Sequence, residues 1–229
     1  MSFRKIYAIL EKTTKDMLKN KRLFITFFIF PIMAIVFYYM IPEEGEYFSV
    51  AYLPMHLLLV STSIMAAIIS EEKEKHTLKS LIVANVKPIE YFLGIGIFVL
   101  ITAVISSSLF LIVINLSLIE LVRFYAMILL STLCSMLIGA MLGLIAENQM
   151  SANALVAPVA IVLGMLPMFS AFNKTIKMLS NYVFTGTLFN IISVINKAIP
   201  IKDYLIFIAN FLVLIIIFSF IYQKKKLDN

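Results

Sequence analysis

Six apolar runs, each close to the length a helix needs to cross a bilayer, constrain this chain more than any other feature. They fall at about Leu23 to Ile41, Ala51 to Ser70, Phe92 to Leu116, Val122 to Ala146, Ala152 to Phe172 and Tyr204 to Tyr222. A spanning helix needs roughly 20 mostly apolar residues. Hydrocarbon offers no water to backbone amides, so each run has to close its hydrogen bonds within itself as a helix. Composition agrees: 62% of the 229 residues are hydrophobic, 14% are charged, and the mean hydropathy is +1.00. That stock of apolar residues fills six spans and leaves no sizeable soluble domain. The predicted fold is an all-α integral membrane protein with six transmembrane helices. Residues 23–222 form the bundle, residues 1–22 an amphipathic interfacial helix, and residues 223–229 a basic tail.

The net charge of +6, from 19 basic and 13 acidic residues, is a matter of topology rather than of nucleic-acid binding, because the charges gather between the apolar runs. Six spans put both termini on one side. Fourteen Lys and Arg lie on that side and five (Arg123, Lys174, Lys177, Lys197, Lys202) on the other. The positive-inside bias therefore places both termini in the cytoplasm. The chain has no Trp, which leaves Tyr38, Tyr39, Tyr52, Tyr125, Tyr204 and Tyr222 as interfacial anchors. The first run, at nineteen residues, exceeds the ~7 to 15 of a cleavable signal core and is read as a retained span. The lone Cys134 lies inside an apolar run and reads as a small buried residue.

Three segments outside the spans carry information. At the N-terminus Phe3, Ile6, Leu10, Thr14 and Met17 recur at helical spacing among Lys5, Lys12, Lys15 and Lys19, the pattern of a helix lying in the interface. Such a basic face favours anionic lipid. The loop from Glu71 to Tyr91 begins with charges and continues with Leu78, Leu81, Ile82 and Val86 on one helical face. Pro88, with Glu90 two residues on, suits the first turn of the third span. The connection 171–203 stays apolar and is predicted to form two short helices split at Gly186, dipping into the outer leaflet or capping a cavity.

Within the spans, Ser131, Ser135, Gly139 and Gly143 recur every four residues. Such a ridge of small residues admits another helix closely, here more simply within one subunit than between two. Thr102, Ser106, Ser107 and Ser108 offer hydroxyls able to bond back to their helix. Pro31, Pro54, Pro158 and Pro167 free carbonyls for neighbours. Glu147 and Asn148 read as a wetted turn, and His56 as an interfacial residue near the outer end of the second span. No full charge lies at a span centre, which argues against coupling to a proton or sodium gradient. No G-x-x-x-x-G-K-[ST] loop occurs either. The chain is expected to be no enzyme and to hold no metal.

These residues resemble the permease subunit of ABC type-2 transporters. The resemblance rests on an acidic run, Glu71, Glu72 and Glu74, followed by Thr77-Leu78, the apolar pair Leu81 and Ile82, Pro88, and Glu90 shortly before Gly94. The segment KDMLKNKRLFITFFIFPIMAI with Pro31, and the long apolar connection before the last span, are also similar. Two departures are His76, where the family usually has Gly before Thr-Leu, and Pro88, a few residues later than usual.

The resemblance implies a coupling helix in the loop. Leu78, Leu81 and Ile82 would be its apolar anchors in an ATPase groove, and Glu71, Glu72 and Glu74 would face basic or polar groups there. It further implies short re-entrant helices before the last span, ABC ATPase subunits that bring ATP and Mg, and a second permease subunit as homodimer or heterodimer. The cargo expected is amphipathic or hydrophobic (a peptide or bacteriocin, a lipid-like molecule or a drug), exported across a bacterial plasma membrane. The alternative is a bacteriocin immunity membrane protein, or an intramembrane protease, without transport. Glu71-Glu72 suits the protease, but His56 and His76 are followed four residues on by Val60 and Ser80, and no metal or general-base site can be assembled from these groups.

Overall fold

The computed structural model describes all residues except Pro42, 78–83, Ala198 and 228–229; within helices, the side chains of 21–24, 26 and 225–227 are likewise outside the description. Every regular element among the described residues is a helix, in the order α1 (Phe3–Lys19), α2 (Lys21–Met40), α3 (Gly45–Glu74), α4 (Pro88–Ser107), a 3-10 turn (Ser108–Ile112), α5 (Leu118–Ile145), α6 (Gln149–Phe169), α7 (Lys174–Ser180), α8 (Phe184–Ser193) and α9 (Ile201–Leu227). Among the described residues five stretches are long and apolar enough to cross a membrane: Gly45–Glu74, Pro88–Ile112, Leu118–Ile145, Gln149–Phe169 and Ile201–Lys224. α2 has 20 residues, of which Phe27–Met40 counts as a shorter apolar helix. The chain is thus an all-α, multi-pass membrane protein.

α3 is the hub. It packs against α2, α5, α6, α4 and α8, and Leu53, Leu57, Leu58, Val60 and Ile64 along it are fully buried. The small-residue ridge of α5 faces it. A Cβ on Gly139 would lie 2.7 Å from the Thr62 carbonyl oxygen and 2.8 Å from its Cα, and one on Gly143 would lie 3.0 Å from the Ala66 oxygen. Contact is therefore backbone to backbone, the packing mode small residues permit where no hydrophobic effect drives helices together. α9 sits at the other extreme, with Leu205, Ile208, Leu212 and Phe220 exposed to what is lipid in a membrane.

Local chemistry sets the helix ends. α4 starts at Pro88, and Glu90 in its first turn accepts the Lys87 N–H at 3.0 Å. α5 repeats the device, with Glu120 accepting the Ser117 N–H at 2.7 Å. The turn at Glu147 starts α6 through Asn148, whose Oδ1 accepts the Ser151 N–H at 2.8 Å. Such caps satisfy amides that have no partner in the helix. Pro167 lacks an N–H and so leaves the Leu163 carbonyl unclaimed within α6; the Thr185 hydroxyl donates to it at 2.7 Å.

Two expectations need correction. Gly186 does not split the outer connection. The break falls at residues 181–183, and Gly186 lies inside α8, where a Cβ would sit 2.0 Å from the Ser180 carbonyl oxygen. Absence of a side chain serves close approach there, not a turn. α8 packs into the core through Phe184, Leu188 and Ile191, while Met178 and Leu179 of α7 are exposed. His56 is not interfacial either. It is fully buried, with Nε2 2.8 Å from the Ser106 hydroxyl and its ring 5.6 Å from Phe110. A hydrogen-bonded hydroxyl lowers the cost of placing an imidazole in an apolar interior.

Candidate functional site: the collar around the α3–α4 loop

The side of the bundle that carries both termini is closed by a polar collar. The chain ends share this side because Phe92 at the start of α4 packs edge-on to Phe218 (5.4 Å) and Tyr222 (6.3 Å) near the end of α9. The collar consists of α1, the last turn of α3, the loop to α4, and the α5–α6 turn.

α1 reaches the bundle through Ile6, Ile9, Thr13 and Met17, its buried face. It rests on α4 at Gly94, where a Cβ would lie 2.6 Å from Ile9 Cγ2 and 3.1 Å from the Ile6 carbonyl oxygen. Three polar contacts then fasten it around the loop. The Ser2 N–H donates to Glu90 Oε1 at 2.6 Å, Lys5 Nζ to the Asn85 carbonyl at 2.5 Å, and Lys12 Nζ to Glu72 Oε1 at 2.5 Å. Residues 72, 85 and 90 bracket the loop, so α1 holds both of its ends.

The acidic run divides its labour. Glu72 points inward, its side chain 8% exposed against 49% for Lys12. The Tyr91 phenol faces the same carboxylate. Glu71 pairs with Lys75 one turn on, and this hydrogen bond raises the pKa of the Lys75 ammonium above the ordinary lysine value. Glu74 Oε2 accepts the Gln149 N–H at 3.1 Å, tying α3 to the start of α6. Lys73 Nζ donates to the Leu144 carbonyl at 3.0 Å and the Ala146 carbonyl at 2.5 Å, capping α5. Thr77 donates to the Glu72 carbonyl at 3.2 Å. Leu78, Leu81 and Ile82, the expected apolar anchors, lie outside the described residues. An open pocket of about 640 Å³ separates α1 from the end of α3, bordered by Lys12, Lys19, Glu71, Glu72 and Lys75.

The loop turns through two left-handed residues, His76 at φ 53 and Asn85 at φ 54. A side chain in that region costs roughly 1–2 kcal/mol. Glycine is free of that cost, which gives the His76 departure a physical meaning.

Ser2, Lys5, Lys12 and Tyr91 belong to this collar and were not singled out from sequence as its members. Their partners lie 60 to 88 positions away for the three N-terminal residues, beyond any local pattern. Ser131, Ser135, Gly139 and Gly143 lie elsewhere, on the α3–α5 contact. There Ser135 bonds back to the Ser131 carbonyl at 2.9 Å. Thr102, Ser106 and Ser108 likewise return their hydroxyls to carbonyls of α4 at 2.8 Å.

The chain is thus a multi-pass bundle whose N-terminal helix is braced against the loop after α3. Residues 4–169 match the family model described as ABC-2 type transporter, and the chain belongs to that family. It is an ABC permease, and membership implies association with an ABC ATPase. No curated protein matches the chain.

Proposed function

We propose that this permease exports an amphipathic or hydrophobic cargo (a peptide or bacteriocin, a lipid-like molecule or a drug) out of a bacterial cell, as a homodimer or heterodimer driven by two ATPase subunits. Its termini and collar face the cytoplasm, as the excess of Lys and Arg on that side favours. ATP and Mg are held by the partner, and this chain contributes no catalytic group. The observation that carries the reading is the bracing of the loop at both ends, by Lys12 on Glu72 and by Lys5 and Ser2 on Asn85 and Glu90. A docking element transmits motion only if it is rigidly joined to what it moves. Leu78 and Leu81 supply the apolar grip on the ATPase groove. The cargo class is supported by a largely apolar interior without a countercharge at the span centres; of its hydroxyls Ser106 and Ser135 bond back to their helices, while Ser61, Ser107, Ser131 and Thr132 are buried with no hydrogen-bond partner among the described residues.

The test is co-purification. Leu78→Asp with Leu81→Asp abolishes recovery of the ATPase with the permease, while the permease still inserts and elutes as a folded species. Association unchanged by that double substitution refutes the docking role. In the intact complex, hydrolysis of ATP is stimulated by cargo; transport persisting after the ATPase is inactivated overturns the export reading.

A further inference from the structure

α1 has three faces where an interfacial helix needs two. Ile6, Ile9, Thr13 and Met17 are spent on the protein. A second apolar strip runs beside them and stays uncovered: Phe3 is 86% exposed, Tyr7 66% and Leu18 67%, with Leu10 and Thr14 partly exposed between them. At 100° per residue this strip is contiguous. Beyond it lie Arg4, Lys15 and Lys19, all exposed. Lys15 is paired with Glu11 on its own helix at 2.6 Å, and Lys21 and Arg22 follow directly in sequence. An uncovered apolar strip with exposed cations beyond it, on a helix that ends at Asn20 just before α2, has the chemistry of a bilayer interface. Apolar side chains enter the acyl boundary and ammonium and guanidinium groups meet phosphate.

We propose that α1 seats Phe3, Tyr7 and Leu18 in the adjacent leaflet and lays Arg4, Lys15 and Lys19 on anionic phospholipid headgroups, so that membrane charge fixes the position of the α3–α4 loop. The second half of the statement follows from the fastenings. Whatever holds α1 down also holds Asn85, Glu90 and Glu72 through Lys5, Ser2 and Lys12. The occupant is lipid and not protein because the strip is collinear with the basic face, and cations complement an anionic leaflet. This goes beyond the export reading and does not require an ATPase.

The chain lacks Trp, so Phe3→Trp creates a single fluorescent reporter on the full-length protein. Reconstituted in phosphatidylglycerol-rich vesicles, it emits blue-shifted light and is quenched by brominated phospholipid. In pure phosphatidylcholine both effects weaken, by about fivefold in the inserted population for each headgroup-bound cation. Arg4→Gln, Lys15→Gln and Lys19→Gln together remove the difference between the two lipids. Hydrogen exchange over 72–91 slows in phosphatidylglycerol in the parent and not in the triple variant. Tyr7→Trp repeats the reading one turn along, should position 3 disturb folding. Water-like emission with no quenching in either lipid overturns the proposal, as covering by protein would produce. Equal insertion in both lipids overturns the headgroup role, and lipid-independent exchange overturns the link to the loop.

Discussion

Replacing Lys12 with Met isolates the strongest fastening of the collar. The change leaves the Glu72 carboxylate, 8% exposed, without its cation. Breaking a fully buried pair by removing one partner costs roughly 3–5 kcal/mol. Lys12 is 49% exposed, so solvent screens part of the attraction; the expected loss is about 2 kcal/mol. Glu72→Gln keeps an oxygen acceptor for Lys12 and removes the buried charge, so it costs less, about 1 kcal/mol. The double variant Lys12→Met with Glu72→Gln buries no lone charge. It should cost clearly less than the two single losses added, with a coupling of about 1–2 kcal/mol. The assay is hydrogen exchange in detergent or nanodiscs at the amides of 72–77 and 89–91. A loss of about 2 kcal/mol in local opening speeds exchange there roughly thirtyfold, while the core of α3 around Leu57 and Leu58 is unchanged. Additive single and double variants, or exchange that rises equally across the bundle, would refute the idea that this pair clamps the loop.

Gly139→Ala drives a Cβ into the Thr62 backbone of α3 and should lower stability by about 1–3 kcal/mol, seen as a reduced unfolding midpoint in detergent. Gly143→Ala, with a nearest approach of 2.9 Å to a side-chain carbon, should cost less. Gly186→Ala meets the Ser180 carbonyl and hydroxyl oxygens at 2.0 and 2.2 Å. It should displace α7 from α8, read as faster proteolysis at residues 181–183 with the helices of the bundle intact.

Five of the six runs were legible as helices long enough to cross a membrane because bilayer thickness fixes run length, a constraint that acts on contiguous residues. The start of α4 was legible for the same reason: Pro88 and Glu90 act on amides within one turn. Spacing of Ser131, Ser135, Gly139 and Gly143 announced a close approach but not the partner, since periodicity encodes an angle on a helix and not what faces it; the structure supplies α3. Glycine is ambiguous in sequence for a related reason. The same missing Cβ permits a turn or a tight contact, and at Gly186 the contact prevailed because Ser180 lies against it. His56 was misplaced because its partner, Ser106, is fifty positions away. The apolar residues of α1 looked like one stripe in sequence, whereas Ile6 and Met17 face protein and Phe3 faces outward, a division made by α4. Lys12 and Glu72 carried no mutual signal at all.

The length of α3 has a mechanical meaning. Thirty residues at 1.5 Å each make a strut of about 45 Å, against roughly 30 Å of hydrocarbon. Its excess emerges at the collar, where Glu72 and Glu74 are gripped, and its far end carries Tyr47, whose hydroxyl donates to the Met168 carbonyl at 2.9 Å. A displacement at one water boundary therefore arrives at the other along a single covalent rod, with no relay of side chains in between. Pro54 marks where that rod, short of one backbone hydrogen bond, bends most cheaply.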